Sequence, residues 1–132
     1  MNPPASILVA AINARHSHAS MGARCLLANM GELRAQTELA EFTIQQSASE
    51  IAEAIAARQP RILGLGVYIW NAVRVAELLP LLRRESPETK IVLGGPEITE
   101  FDPPGQRPGL QSIRRLPVAQ GVDLGGCCDF LI

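Results

Sequence analysis

The sequence predicts an α/β domain in which parallel strands alternate with helices, and three features of the chain support this. Short apolar runs recur between residues 7 and 94, each with the length of a buried strand. Segments with helical spacing of apolar residues separate these runs. The links are short, and alternation of this kind implies a parallel sheet with right-handed crossovers.

The first half of this domain is predicted to hold two strands and two helices. Residues 7–11 form an unbroken apolar run, which predicts a strand buried on both faces. A helix is predicted over residues 20–33, followed by an alternating, half-buried strand over residues 38–44. Ser47 has the position of a capping-box residue, and the helix that it begins is predicted to end near Arg58.

The second half repeats the pattern. Residues 62–67 form a buried strand with two glycines near its carboxyl end. Asn71 is predicted to cap a helix that reaches about Arg84. Residues 90–93 form a fourth strand, which gives the order strand, helix, strand, helix, strand, helix, strand.

Composition excludes several classes of partner. The chain has 132 residues, 47% apolar and 19% charged, which suits one domain with a buried core. Twelve basic and thirteen acidic side chains leave no visible basic face, so neither nucleic acid nor a membrane is predicted as a partner. Three cysteines, an odd number, make a poor disulfide framework and favour a cytoplasmic location.

The segment after about Thr99 differs in composition. Residues 99–132 hold four of the ten prolines and five of the eleven glycines. No periodicity persists there apart from a short strand over residues 129–132. We therefore predict an α/β domain over residues 1–98 and an atypical Pro/Gly-rich tail over residues 99–132.

The first of three unusual loops follows the first strand. Ligands of open parallel sheets bind beyond the carboxyl ends of the strands, where all three loops lie. The helix start and the Arg of this loop could bind an anion, and a His could donate a hydrogen bond or bind a metal. The alternative interpretation is a solvent-exposed loop in which Ser20 caps the helix. The candidate binding residues of this loop are Asn13, Arg15, His16, Ser17, His18, Met21 and Gly22.

The other two loops follow the third and fourth strands. One contains the only Tyr and the only Trp of the chain, which suit the wall of a flat apolar cofactor or, alternatively, a cover for the sheet end or a partner. The other has paired glycines that permit close backbone approach to a ligand, or make an ordinary turn. The candidates are Gly66, Val67, Tyr68, Ile69, Trp70 and Asn71, then Gly94, Gly95, Pro96 and Glu97.

Familiar catalytic motifs are absent from the sequence. No Gly-x-Gly-x-x-Gly follows the first strand, and no P-loop or nucleophile elbow occurs. We predict neither catalytic residues nor metal ligands.

Together the three loops resemble a known family. The segments Asn13-Ala-Arg-His-Ser-His-Ala-Ser-Met-Gly22, Tyr68-Ile-Trp-Asn71 and Ile91-Val-Leu-Gly-Gly-Pro-Glu97 are similar to the amino-terminal cobalamin-binding domain of cobalamin-dependent radical SAM proteins. Some of these are described as anaerobic magnesium-protoporphyrin IX monomethyl ester cyclases. The resemblance covers residues 6–98. It implies a three-layer α/β/α, Rossmann-like sheet of flavodoxin type that holds cobalamin at the carboxyl ends of its strands.

The match to the family's motifs is partial. Typical members carry Asp-x-His-x-x-Gly, Ser-x-Leu and Gly-Gly; the His ligates cobalt, and the Ser and glycines line a groove for the nucleotide tail. Gly22 and the pair Gly94-Gly95 fall in the corresponding places. The Asp and His do not, and Gly66 and Tyr68 replace the Ser and Leu. A base-off form without a His ligand and a weak or lost site both remain open.

The resemblance also implies parts that this sequence lacks. A complete domain has a fifth strand and a last helix, and then a radical SAM domain with a Cys-x-x-x-Cys-x-x-Cys motif. An iron–sulfur cluster and S-adenosylmethionine are therefore expected only in a full-length parent, and a truncated or frame-shifted gene is one explanation. The sheet is expected to be incomplete at its carboxyl-terminal end, and its open edge favours a homodimer.

The leading hypothesis is thus a cobalamin-binding module of a radical SAM enzyme, without catalytic activity alone. The alternative is a non-catalytic, flavodoxin-like interaction or regulatory domain, in which residues 68–70 contact a protein. A third option is a small enzyme that binds a phosphorylated ligand through Arg15.

Overall fold

The computed structural model describes residues 6–15 and 19–95 in full and the backbone of residues 130–131. The described strands form one sheet in which every pairing is parallel, with the order β2-β1-β3-β4-β5. The elements are β1 (Ile7–Asn13), α1 (Met21–Ala28), a 3-10 helix (Gly31–Gln36), β2 (Thr37–Thr43), α2 (Ala48–Arg58), β3 (Ile62–Gly66), α3 (Ala72–Glu85), β4 (Lys90–Gly94) and β5 (Phe130–Leu131).

The two faces of the sheet are covered differently. Alternate strand residues such as Leu8, Leu63 and Ile91 are almost fully buried in one cluster with α2 and α3. The burial of each such side chain contributes about 1.5–3 kcal/mol to stability. On the opposite face α1 places Ala23 against Val9 and its neighbours in a much smaller cluster. Helices on both sides of a parallel sheet confirm the predicted three-layer, flavodoxin-type class.

Helix α1 is shorter than the sequence suggested. The helix predicted over residues 20–33 ends at Ala28, where Asn29 donates a side-chain hydrogen bond to the carbonyl of Cys25 at 2.7 Å. Gly31 has φ +57°, a left-handed conformation that a right-handed helix cannot continue through. The chain resumes as the 3-10 helix, in which Leu33 is exposed rather than buried.

The remaining helices follow the sequence closely. The hydroxyl of Ser47 accepts a hydrogen bond from the amide of Glu50 at 3.1 Å, as a helix cap requires. Helix α2 ends at Arg58, and the left-handed backbone of the next residue, Gln59, closes it just before Pro60. Pro80 lies inside α3 without ending it. Among the described residues, no helix is long and apolar enough to cross a membrane.

The edge of the sheet beside β4 differs from expectation. The short strand expected over residues 129–132 is present as β5, which pairs with β4 through Val92↔Phe130 and Leu93↔Leu131. The expectation that this edge lacks a fifth strand and stands open is therefore wrong at these two positions. These two pairings lie in the second half of β4.

Candidate functional site

The strand order reverses between β1 and β3, and the predicted loops meet at that point. After β1 the chain adds β2 on one side, and then returns to add β3 on the other. Such a reversal leaves a crevice beyond the carboxyl ends of the two strands. Trp70 from the second loop donates its Nε1–H to the carbonyl of Ile12 at 3.1 Å. The amide of Val67 donates to the carbonyl of Gly94 at 2.7 Å, so all three strand ends are tied together.

Asn71 is the buried tie between these strand ends. Its Oδ1 accepts from the amide of Tyr68 at 2.8 Å, and its Nδ2 donates to the carbonyls of Ile12 and Gly66, both at 3.1 Å. The residue takes the predicted N-cap position of α3, but its side chain makes no capping hydrogen bond. The side chain instead replaces strand pairing where β1 and β3 diverge, which makes it a structural residue of the site.

Tyr68 and Trp70 form a stacked pair above the strand ends. Their ring centroids are 4.5 Å apart, and the rings are inclined by 10°. The Tyr68 ring lies against two glycines: a Cβ at Gly66 would be 3.0 Å from its Cε2, and a Cβ at Gly22 would be 3.0 Å from its hydroxyl. The glycines thus make room for the ring, which spans from the end of β3 to the start of α1.

A groove runs over the sheet on the face that carries α1. Its floor consists of alternate residues of three strands, which share a face because side chains alternate along a strand. These residues are Val9, Ala11, Gly64, Gly66, Val92 and Gly94. We call this space, which has a volume of about 320 Å³, the sheet groove. A Cβ added at Gly64 would meet nothing within 4 Å, so the floor is open there, and Leu26 of α1 forms a wall.

A second cavity of about 420 Å³ lies beside the first loop, and we call it the loop cavity. It is lined by Asn13, Met21 and Trp70, among others. Met21 is 69% exposed, so this cavity opens to solvent. Four residues line both spaces, so the two spaces adjoin; these are Ala11, Ser20, Gly22 and Tyr68.

Glu41 on β2 fastens the first loop to the sheet. Its Oε1 accepts from the amide of Ser20 at 2.7 Å and from Nδ2 of Asn13 at 3.4 Å, and its Oε2 pairs with Arg24 at 2.7 Å. The hydrogen bond from the Ser20 amide, with those of Asn13 and Arg24, outweighs partial burial and holds the pKa of Glu41 below its ordinary value. A single carboxylate thus holds both ends of the loop that carries Arg15.

The structure separates the predicted site residues into groups. Eight candidates line the two spaces: Asn13, Met21, Gly22, Gly66, Tyr68, Trp70, Gly94 and Gly95. Arg15 and Ile69 are exposed and line neither, while Val67 is fully buried and Asn71 is structural. His16, Ser17, His18, Pro96 and Glu97 lie outside the described residues. In the part of the chain described here, no three His, Cys, Asp or Glu side chains come together as a metal site.

Several residues of this region were missing from the sequence prediction. Gly64 and Val92 lie two positions before Gly66 and Gly94, so the two-residue period of a strand places them on the groove face. Leu26 is an apolar residue of α1 that is 60% exposed beside the groove. Glu41 had no such signal, because a carboxylate on the outer face of a half-buried strand usually faces only water.

Comparisons with known proteins agree with this geometry. A family model described as "B12 binding domain" matches residues 7–112, more than three quarters of the chain. A crystal structure of a novel cobalamin-binding protein from Desulfitobacterium hafniense DCB-2 has a similar fold, with a TM-score of 0.55 at 16% sequence identity. The alignment covers 98% of this chain and 53% of that one, so this chain spans about half of that protein's length. A search of curated protein sequences gave no match.

Proposed function

Since this chain belongs to the B12-binding domain family, we propose that it holds a corrinoid at the carboxyl ends of β1, β3 and β4, with the nucleotide tail of the corrinoid in the sheet groove. The observation that carries this proposal is the floor of the groove. Gly64 and Gly94 remove side chains from a strip of sheet, so that a flat group can lie close to the backbone.

The groove fits an apolar planar group in both size and chemistry. Its volume of about 320 Å³ is at the lower end of the roughly 300–1,000 Å³ typical of small-molecule sites. Aliphatic side chains such as Val9, Leu26 and Val92 surround the open floor at Gly64. These residues would hold the tail by contact and exclude water from its faces. When bound, the corrinoid supplies a cobalt centre that carries an alkyl group.

The corrin ring itself would lie over the strand ends. Trp70 is 47% exposed there and Met21 69%, and both line the loop cavity. Apolar surfaces of this kind match the faces of a large, flat macrocycle. We propose that the cobalt takes no histidine from this loop, because the Asp-x-His-x-x-Gly spacing of typical family members is missing.

We further propose that the chain is the cobalamin module of a radical SAM enzyme and is not catalytic alone. The three loop sequences that resemble those enzymes support this proposal. An iron–sulfur cluster and S-adenosylmethionine would then belong to another part of a longer parent. Residues 1–98 would form the module, and residues 99–132 would form its atypical tail. We also propose that the protein is located in the cytoplasm and that two copies pair at a sheet edge.

A titration with hydroxocobalamin, followed by its visible absorption spectrum, tests corrinoid binding. The wild-type chain is expected to change the spectrum at micromolar concentrations. Gly64→Val places a side chain in the open groove, and we expect it to weaken binding by about tenfold or more through overpacking against the ligand. Its midpoint of urea unfolding should not fall, since valine suits a strand and meets no protein atom at this Cβ.

Lys90→Val is the matched control for this variant. It places the same valine side chain at an exposed position, at the opposite end of β4 from Gly94, and should bind hydroxocobalamin as wild type does. Equal affinity of Gly64→Val and wild type would show that the groove holds no tail. Failure of the wild type to bind at high micromolar concentration would overturn the proposal as a whole.

An interaction domain is the second candidate function. Ile69 is 80% exposed and Val73 44% exposed at the same edge, which gives a protein partner an apolar contact. Ile69 lines neither cavity, so Ile69→Ser separates the two functions. A shift in its elution volume on size-exclusion chromatography, with unchanged corrinoid affinity, would support a protein contact at this edge.

A further inference from the structure

Tyr68 lies where the sheet groove and the loop cavity adjoin. It lines both spaces, and it reaches from Gly66 at the end of β3 to Gly22 at the start of α1. Both contacts depend on the absence of a Cβ, because a Cβ at either position would lie 3.0 Å from the ring or its hydroxyl, closer than an ordinary contact. The sequence therefore provides a fitted seat for the ring in this position.

The seat is reinforced from the outer side by Trp70. The two rings are stacked at 4.5 Å, and the indole is fixed by its hydrogen bond to the carbonyl of Ile12. The backbone amide of Tyr68 is held separately by Asn71. The side chain of Tyr68 is thus able to rotate away without breaking a backbone hydrogen bond, and it then gives up the stack on Trp70 and its contacts with Gly22 and Gly66.

We propose that Tyr68 is a specificity-determining gate, which admits the nucleotide tail of a complete corrinoid only when its ring leaves this seat. The inference rests on the proposed function. A ligand with its macrocycle over the strand ends and its tail in the sheet groove would run from one space to the other across the position of this ring, because Tyr68 lines both. A corrinoid without a tail does not enter the groove, and it binds while the Tyr68 ring stays in its seat. The gate therefore sets the preference between these two classes of corrinoid.

The size of the preference follows from the contact that is lost. An offset aromatic pair contributes a free energy that corresponds to roughly a two- to tenfold change in affinity. Opening the gate lowers the affinity for a tailed corrinoid by this factor, and leaves the affinity for a tailless one unchanged. Removal of the ring should abolish the penalty.

The test compares hydroxocobalamin with cobinamide, the corrinoid that lacks the nucleotide tail, on three proteins. Tyr68→Ala is expected to bind hydroxocobalamin roughly two- to tenfold more tightly than wild type does, and cobinamide equally. Tyr68→Phe keeps the ring and the stack, so it should resemble wild type with both ligands. Tyr68→Leu, which keeps an apolar side chain, replaces the alanine variant if urea unfolding shows that the latter is not folded.

The outcomes separate the gate from the proposed function. If Tyr68→Ala weakens the binding of both corrinoids, the ring is a contact wall and the gate is wrong. An unchanged ratio of the two affinities would also reject the gate while leaving corrinoid binding intact. Binding of neither corrinoid by any variant, including wild type, rejects the proposed function and the gate together.

Discussion

Removal of the Glu41 carboxylate should loosen the first loop and lower stability only above acidic pH. This side chain joins Ser20 and Asn13, which flank the loop, and pairs with Arg24. Both side chains of the ion pair with Arg24 are partly exposed to solvent, so this pair contributes less than about 1 kcal/mol. With the hydrogen bond from the Ser20 amide, we expect Glu41→Ala to cost about 1 kcal/mol. For a chain of this size that lowers Tm by about 4 °C.

The pH dependence has a definite sign. The pKa of Glu41 is lowered in the folded state, chiefly by the Ser20 amide, so the folded protein favours the charged form. Its contribution is complete above the ordinary carboxyl pKa of about 4.5, and is lost as the pH falls through the lowered folded value. The difference in Tm between wild type and Glu41→Gln should therefore be constant near neutrality and shrink as the pH falls below about 4.5.

Thermal unfolding followed by circular dichroism between pH 3 and pH 7 measures this difference. Glu38→Gln is the matched control, since Glu38 lies on the same strand and pairs with Arg58 at 3.2 Å but touches no part of the first loop. Hydrogen exchange of the Ser20 amide should accelerate in Glu41→Ala and not in the control. Parallel pH profiles for wild type and Glu41→Gln, or equal exchange rates in all variants, would refute the role given to Glu41.

Two further substitutions test the backbone of the site. Asn71→Ala leaves buried strand-end carbonyls and a turn amide short of partners, so we expect a loss of about 2–3 kcal/mol, seen as a lower urea midpoint at unchanged m-value. Gly95→Ala should cost about 2 kcal/mol or more by the same assay, because Gly95 has φ +102° and a Cβ there would lie 2.6 Å from the carbonyl oxygen of Val67. Gly64→Ala, with open space at its Cβ, should unfold as wild type does, and an equal loss in both glycine variants would contradict this reasoning.

The strands and most helices were predictable because burial leaves a direct trace in sequence. The apolar run in β1 and the cap at Ser47 both have the expected structure. The early end of α1 was not predictable from periodicity, since it depends on the positive φ of Gly31. Composition also could not show that residues 130–131 return to the sheet, because parallel pairing joins positions far apart in the chain.

The sequence predicted which loops form the candidate site, but not the hydrogen bonds that hold them together. The loops after β1, β3 and β4 converge as parallel topology requires, and the glycines among them line the groove. Asn71 was identified at the correct position, but the use of its side chain depends on how β1 and β3 diverge. Glu41 was missed because its partners come from the far side of a loop, at sequence separations of 17 to 28 residues.

Because side chains alternate along β3, neighbouring residues of this strand have different roles: one packs in the core and the next lines the groove. Leu63 and Leu65 face α2 and α3 and are buried in the core, whereas Gly64 and Gly66 face the groove. Substitutions of the leucines are therefore expected to change the stability of the fold, whereas substitutions of the glycines are expected to change which ligands fit the groove. An engineer who wishes to reshape the groove for a different planar ligand can therefore vary Gly64 and Val92 together, and leave the residues that hold the domain together untouched.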